Sequence, residues 1–130
     1  IPVAYLAVDG VYTNKAPAAI GPYSQAILSN NTLYCSGQIA LDINGKLIKT
    51  NIKEETNQII NNIQAILKEV KMDMSNIVKT TIFLKNMNDF STINSIYAQQ
   101  FKDYPPARET VEVSALPKNA NIEISVIAVK

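Results

Sequence analysis

The hydrophobic residues of this chain recur at two periods, and the longer period predicts two helices. Within residues 51–70 an apolar stripe recurs about every 3.6 residues, which is typical of an amphipathic helix. Asn51 and Glu54 resemble a capping pair at its start. A second stripe predicts a shorter helix that ends before Pro105, because proline cannot continue a helix. The members of this second stripe are Phe90, Ile93, Tyr97 and Phe101.

Five segments with alternating or β-branched residues predict the strands of one sheet. They are residues 25–29, 32–39, 77–84, 109–116 and 121–129, and residues 11–13 add a short further strand. Two amphipathic helices on one face of a mixed sheet make a two-layer α+β domain, and we expect a single domain over residues 1–130. The other sheet face keeps many apolar positions, so a homo-oligomer that packs sheet faces together is the simplest way to cover it.

The charge balance and the missing residue types exclude several kinds of site. The 130 residues include 12 Lys and Arg and 11 Asp and Glu, a formal net charge of +1. That balance argues against nucleic acid as a partner, since nucleic acid requires a basic surface. There is no His, and Cys35 is the one cysteine. The chain therefore has no His general base, no intrachain disulfide and no Cys or His cluster that would bind a metal.

No segment of the sequence resembles a membrane anchor or a targeting signal. No apolar run approaches the roughly 18 residues of a membrane span. Residues 1–8 are apolar, but they are too few for a signal peptide and lack a basic flank. We therefore expect a cytoplasmic protein, or one of an organelle matrix, with residues 1–10 as an N-terminal extension or a cloning remnant.

Arg108 and Glu123 are the two charged residues whose positions point to chemistry. Arg108 is the only arginine, and its planar fork can hold a carboxylate through two parallel hydrogen bonds. Its strand parity places it with Thr110, on a polar surface. Glu123 lies between Ile122 and Ile124, where a carboxylate could orient water or move a proton. The alternatives are an ordinary surface ion pair for Arg108 and a solvent-facing strand position for Glu123.

Three further positions could contact a ligand. Tyr23 follows a Gly-Pro turn and could offer a hydroxyl and a ring face, or could simply be a packed loop aromatic. Ser36 and Gly37 could present a hydroxyl and a closely approachable backbone N–H, or could mark a β-bulge without function. Cys35 has no adjacent base, and we expect a buried, unreactive thiol there.

Four stretches together resemble the RidA/YjgF family of imine and enamine deaminases. They are residues 16–25 (APAAIGPYSQ), 36–39 (SGQI), 77–90 (IVKTTIFLKNMNDF) and 106–118 (PARETVEVSALPK), followed by the Ile-Glu-Ile of residues 122–124. Their order and spacing extend the resemblance over about residues 11–129.

The resemblance implies a fold similar to that of the small trimeric chorismate mutases, with a homotrimer whose clefts lie between subunits. It implies a small 2-imino or enamine acid as substrate, released by pyridoxal-phosphate enzymes and hydrolysed to a 2-oxo acid and ammonia. The imine carbon is already electrophilic, so the protein needs only to anchor the acid, orient water and exchange protons. We accordingly expect no metal, no cofactor and no membrane partner.

The resemblance also assigns roles to residues of this sequence. Arg108 would hold the substrate carboxylate, and Glu123 would position the attacking water or carry its proton. Thr110 stands where some members have Cys, and its hydroxyl can still bond to water. Glu109 stands where we expect a small residue, and it could change the local charge or pair with a lysine. The positions that would line or border the cleft are Tyr23, Ser36, Gly37 and Asn94.

Two alternative functions remain open for a chain of this kind. One is an endoribonuclease or translation inhibitor, an activity also attributed to some family members, against which the absence of His and the low charge argue. The other is a ligand-binding or chaperone-like module that keeps the cleft without turnover. A module that only binds would have no need of a water-positioning carboxylate at Glu123.

Overall fold

A computed structural model describes residues 8–130, which form one mixed sheet and two helices. The strands are β1 (Val8–Val11), β2 (Ala26–Ser29), β3 (Thr32–Gln38), β4 (Ile77–Leu84), β5 (Ala107–Glu112) and β6 (Ile122–Val129), and the helices are α1 (Ile52–Glu69) and α2 (Phe90–Ala98). Across the sheet the order is β1-β2-β3-β6-β4-β5. β4 and β5 are parallel, and the other neighbouring pairs are antiparallel. β6 therefore separates β3 from β4, the two strands that α1 connects.

α1 forms where the apolar stripe predicted it. Asn51 Oδ1 accepts the backbone N–H of Glu54 at 2.8 Å and caps the first turn. Burying each large aliphatic side chain of the stripe contributes about 1.5–3 kcal/mol. The helix ends at Glu69, and Lys71 just beyond it adopts the left-handed conformation, with φ at 60°. The fully buried members of the stripe include Ile59, Ile63, Ile66 and Leu67.

Both helices cover the same face of the sheet. Leu33 of β3 and Ile124 of β6 are buried in one core with Ile63 of α1 and Ile93 of α2. We call this side of the sheet the covered face. The side of opposite parity is the open face, which carries Tyr34, Val111 and Glu123. Tyr34 and Val111 are 50% and 41% exposed. The predicted two-layer α+β fold is thus confirmed.

Two predicted strands have the wrong boundaries. The short strand expected at residues 11–13 runs instead over Val8–Val11, because the backbone N–H of Thr13 is bonded to the Gln25 side chain rather than to a neighbouring strand. The strand expected at residues 109–116 runs over Ala107–Glu112. It begins earlier because parallel pairing with β4 already starts at Ala107, and alternation in the sequence cannot reveal that register.

The N-terminal prediction falls only partly within the described residues. Residues 1–7 lie outside them, whereas residues 8–10 belong to β1, which pairs with β2. Within residues 8–130, no helix is both long and apolar enough to cross a membrane.

Candidate active site

Glu123 lies in the wall of a cavity of about 480 Å³, which we call the first cavity. β6 holds this half-buried residue opposite Phe83 of β4. Burial raises the pKa of the Glu123 carboxyl above its ordinary value, since loss of water penalises the charged form. A carboxylate with a raised pKa is a stronger base toward a bound water molecule. Much of the remaining wall is apolar and includes Pro17, Ala19, Ile20, Ile39, Leu41 and Pro117.

A β-bulge brings the backbone of Gly37 against Glu123. The pairing of β3 with β6 shifts between Cys35 and Gln38, and beyond the shift Gln38 rather than Gly37 is buried. The predicted alternation of residues 32–39 therefore holds only as far as Cys35. A Cβ atom on Gly37 would lie 2.8 Å from both Cδ and Oε2 of Glu123. Glycine at this position thus leaves the space that the carboxylate occupies.

A buried glutamine holds a second wall of the first cavity in place through side-chain hydrogen bonds. Gln25 is 3% exposed. Its Oε1 accepts the N–H of Thr13 at 2.8 Å, and its Nε2 donates to the carbonyls of Thr13 at 3.1 Å and Pro17 at 2.8 Å. These bonds fix the segment 13–17, which leads into the cavity-lining residues 17–20. These bonds satisfy the buried amide of Gln25 and hold this part of the wall in one conformation.

The first cavity brings four of the predicted site residues together. Tyr23, Ser36, Gly37 and Glu123 all line it. Ser36 Oγ donates to the carbonyl of Ser24 at 2.6 Å, so this hydroxyl already has a partner and can still accept a hydrogen bond. Tyr23 is 53% exposed, so the cavity is open on that side.

Arg108 lies on the covered face, where two aromatic rings hold its guanidinium. β5 places it opposite the buried Thr80 of β4. The guanidinium carbon is 4.9 Å from the ring centre of Tyr97 and 5.6 Å from that of Phe90, both within the range of cation–π attraction. The Tyr97 hydroxyl donates to Thr80 Oγ1 at 3.1 Å, which fixes that ring. The surface beside Arg108 is therefore aromatic, not the polar one that strand parity predicted.

The Arg108 side chain lines a second cavity, which has a volume of about 580 Å³. Asn94 of α2 lines it as well, so the structure brings these two predicted residues together. Two positions along β5, the hydroxyl oxygen of Thr110 is buried and has no hydrogen-bond partner among the described residues. A buried, unpaired hydroxyl is costly, and Thr110 is therefore a polar group that the described chain leaves unsatisfied.

The two groups of predicted residues do not meet within one chain. Arg108 lies opposite Thr80, and Glu123 lies opposite Phe83. Thr80 and Phe83 are three residues apart in one strand and point to opposite faces of the sheet. The candidate carboxylate anchor is therefore on the covered face, while the candidate base is on the open face.

Sequence reasoning missed residues that serve these side chains. Tyr97 and Phe90 were assigned only to the apolar stripe of the second helix, yet both rings also contact Arg108. Gln25 was assigned only to a strand, yet it fastens a cavity wall. The sequence offered two signals, namely an aromatic pair seven residues apart and one arginine in a later strand. Only the packing of α2 on β5 brings these residues together.

Glu109 and Cys35 have roles outside the two cavities. Glu109 pairs with Lys79 at 2.7 Å and accepts a hydrogen bond from the Thr81 hydroxyl at 2.5 Å. These hydrogen bonds lower the pKa of its carboxyl, and the pairing with a lysine agrees with one of the two interpretations given above. Cys35 is buried, and burial raises the pKa of its thiol to about 12. The predicted burial of this thiol is thus confirmed, and the raised pKa disfavours the reactive thiolate.

No group of three or more His, Cys, Asp or Glu residues in the described part of the chain could hold a metal ion.

Comparison with known proteins gives consistent matches along nearly the whole chain. A family model described as endoribonuclease L-PSP matches residues 13–130. A RutC family protein of Sulfurisphaera tokodaii is 51% identical, over 95% of this chain and 99% of its own. The 2-iminobutanoate/2-iminopropanoate deaminase of Homo sapiens is 48% identical, over 92% of this chain and 88% of its own. The crystal structure of the Rid family protein YyfA from Yersinia pestis superposes with a TM-score of 0.92 at 50% identity, covering 95% of this chain and all of that one.

Proposed function

Because this chain belongs to the RidA/YjgF family, we propose that it hydrolyses small 2-imino acids to 2-oxo acids and ammonia. The observation that carries the proposal is the half-buried Glu123 carboxyl, which has a raised pKa and faces a largely apolar cavity. The relatives named 2-iminobutanoate/2-iminopropanoate deaminase, at about 48% identity, support the same chemistry.

The reaction adds one water molecule across the C=N bond and then releases ammonia. Arg108 holds the substrate carboxylate through its two-pronged fork. Glu123 accepts a proton from the attacking water as the new C–O bond forms. The substrate nitrogen is protonated before the attack, so the product of this step is a neutral carbinolamine. Glu123 then returns its proton to that nitrogen, which regenerates the carboxylate. The carbinolamine hydroxyl releases its proton to water as the C=O bond forms and the C–N bond breaks. Thr110, with its unpaired hydroxyl, donates to or accepts from water beside the anchor.

We place the complete site between two subunits of a homotrimer. Arg108 and Glu123 project from opposite faces of one sheet, and an acid of three or four carbon atoms is too small to contact both in one chain. A neighbouring copy that lays its Arg108 edge beside the first cavity would bring the two residues together. The partly exposed apolar side chains of the open face, Tyr34 and Val111 among them, supply a surface for that contact.

Mixing two inactive variants is expected to restore activity. In trimers reassembled from equal amounts of Arg108→Ala and Glu123→Gln subunits, about one cleft in four combines an intact arginine with an intact glutamate, if each cleft takes one from each neighbour. We therefore expect about a quarter of wild-type turnover from the mixture and almost none from either variant alone. Light scattering should give the mass of three subunits. A monodisperse monomer, or a mixture without activity, would contradict the shared site.

Adding a methyl group at Gly37 is expected to lower the rate about tenfold, because the new Cβ atom would stand 2.8 Å from the Glu123 carboxyl and displace it. The displaced group is the end of a flexible side chain, so the fold should persist. Gly10→Ala is the matched control, since a Cβ atom there meets nothing closer than Ser24 Oγ at 3.7 Å. Steady-state kinetics and thermal unfolding of both variants provide the test. Equal rates for the two variants would show that the small size of Gly37 is not needed to position Glu123.

A coupled assay tests the proposed activity itself. A pyridoxal-phosphate dehydratase generates a 2-imino acid, and release of the 2-oxo acid is followed with and without this chain. We expect faster release with the wild type. Release at the uncatalysed rate would leave a binding module as the better interpretation. The family description as an endoribonuclease supplies a second candidate function, which salt-dependent RNA binding and cleavage by the pure wild type would favour.

A further inference from the structure

Glu55 is a buried carboxylate that the proposed reaction does not use. It lies in the first turn of α1 and is 1% exposed. Both of its carboxylate oxygens lie 3.1 Å from Nδ2 of Asn121, a residue 66 positions later in the chain. No lysine or arginine of the described residues forms a salt bridge with it. The amide of Asn121 is therefore the side-chain group that compensates this carboxylate.

A buried carboxylate that lacks a cation contributes little to stability. Loss of water penalises the charge, and an apolar side chain of similar size often stabilises the fold as well or better. The N-terminal end of α1 favours a negative charge nearby, but Glu54 already occupies the same turn. What Glu55 supplies beyond this is a fixed acceptor for one amide in a distant loop.

That amide lies at the end of a strained segment in the wall of the first cavity. Lys118 and Asn119 both have left-handed backbone conformations, with φ at 55° and 56°, and such conformations persist only where the surroundings hold them. Pro117 and Lys118 line the cavity. Glu123 follows Asn121 by two residues, so the contact with Glu55 lies at the junction between this segment and β6.

We propose that Glu55, through Asn121, is a positioning residue that holds the segment 117–121 against the first cavity and thereby fixes the place of Glu123. Its effect on turnover rests on the proposed function, whereas its effect on the segment does not. Two backbone hydrogen bonds report on the segment directly: Asn119 N–H to the Leu116 carbonyl and Ala120 N–H to the Pro117 carbonyl, both at 3.1 Å.

The experiment uses exchanges between carboxylate and amide. Glu55→Leu removes the acceptor at nearly constant volume, while Glu55→Gln keeps one acceptor oxygen for Asn121. Asn121→Asp puts two carboxylates in contact, and the double variant Glu55→Gln with Asn121→Asp restores one donor and one acceptor with the positions swapped. Hydrogen exchange at the amides of Asn119 and Ala120 is measured first, with thermal unfolding as a check on the fold.

We expect exchange at these two amides to rise at least about tenfold in Glu55→Leu and Asn121→Asp, and to stay within about threefold of wild type in Glu55→Gln and in the swapped variant. In the turnover assay, kcat should fall about tenfold in Glu55→Leu with a smaller change in KM, because the base rather than the carboxylate anchor is displaced. A purely structural role would lower stability without this pattern of rescue.

The outcomes for the positioning role and for the proposed activity are separable. Wild-type exchange at Asn119 and Ala120 in Glu55→Leu would overturn the positioning role even if turnover is normal. If Glu55→Leu does not fold, failure of the swapped variant to restore slow exchange would overturn it instead. A wild type that hydrolyses no imine would contradict the proposed function, and the exchange measurements would still decide the role of Glu55.

Discussion

Replacing Arg108 by lysine is expected to abolish nearly all imine hydrolysis while leaving the fold intact. Lysine keeps the positive charge, but it loses the two-point fork that holds a carboxylate in one orientation. It also loses the flat guanidinium that lies 4.9 Å from the Tyr97 ring and 5.6 Å from the Phe90 ring. We expect kcat/KM to fall by about 10² or more, because a misoriented substrate loses the alignment that the reaction requires.

Steady-state kinetics on freshly generated imine, together with thermal unfolding, provide the test of Arg108→Lys. Lys68→Arg, the reverse exchange at the exposed end of α1, is a matched control that should change neither quantity. A loss of only about threefold in kcat/KM corresponds to about 0.7 kcal/mol in the barrier. So small a loss would mean that another group holds the substrate carboxylate.

Replacing Glu123 by glutamine should lower the chemical rate more than it weakens the binding of an unreactive 2-oxo acid. Glutamine is nearly isosteric and can still form hydrogen bonds, but it cannot accept a proton as a base. Positioned acid–base groups contribute about 10²–10⁴-fold. Since an imine already hydrolyses slowly in water, we expect a loss of about 10²-fold, at the lower end of that range.

The raised pKa of Glu123 gives this prediction a dependence on pH. In the proposed mechanism the ionised carboxylate is the base, so the wild-type rate should fall as pH drops through a value above that of an exposed glutamate. The glutamine variant should lack this decline. The free energy of unfolding depends on pH in the opposite direction from the rate. A group whose pKa is raised in the folded state contributes stability only while it is protonated, and this contribution is lost as pH rises through the folded-state pKa. Glu123→Gln should therefore be no less stable than the wild type at neutral pH.

Single-turnover hydrolysis over a range of pH and calorimetry with a 2-oxo acid check the Glu123→Gln prediction. An unchanged rate would assign the water to Thr110 or to a backbone group. An equal collapse of rate and affinity would make Glu123 a binding residue and withdraw its role in proton transfer.

Local patterns were sufficient for the parts of the fold that local interactions determine. The α1 stripe, with its cap from Asn51 to Glu54, appears in the structure within one residue of its predicted ends. The alternation of β6 likewise places Ile122 and Ile124 in the core and Glu123 on the opposite face. In both cases, neighbours within a few residues decide which side is buried.

The relative placement of the site residues depended on pairings that the sequence does not display. The parity of β5 correctly grouped Arg108 with Thr110, but nothing in it could show that this side would pack against Tyr97 rather than face a polar surface. That outcome follows from the parallel pairing of β5 with β4, which is set by the whole sheet. The bulge at Gly37 had a signal in the sequence, but its contact with Glu123 requires the pairing of β3 with β6.

The place of β6 between β3 and β4 limits the order in which the strands can pair while the chain is being synthesised. β6 follows every other described strand in the chain, so the emerging polypeptide carries β3 and β4 each with one unpaired edge until residues 122–129 are available. Such edges are templates for pairing with other chains, and closing them depends on contacts that span most of the sequence, which form slowly. Nascent chains that stall before Ile122 should consequently be prone to aggregation and depend on chaperones. Glu123 would reach its place only in the step that pairs both edges.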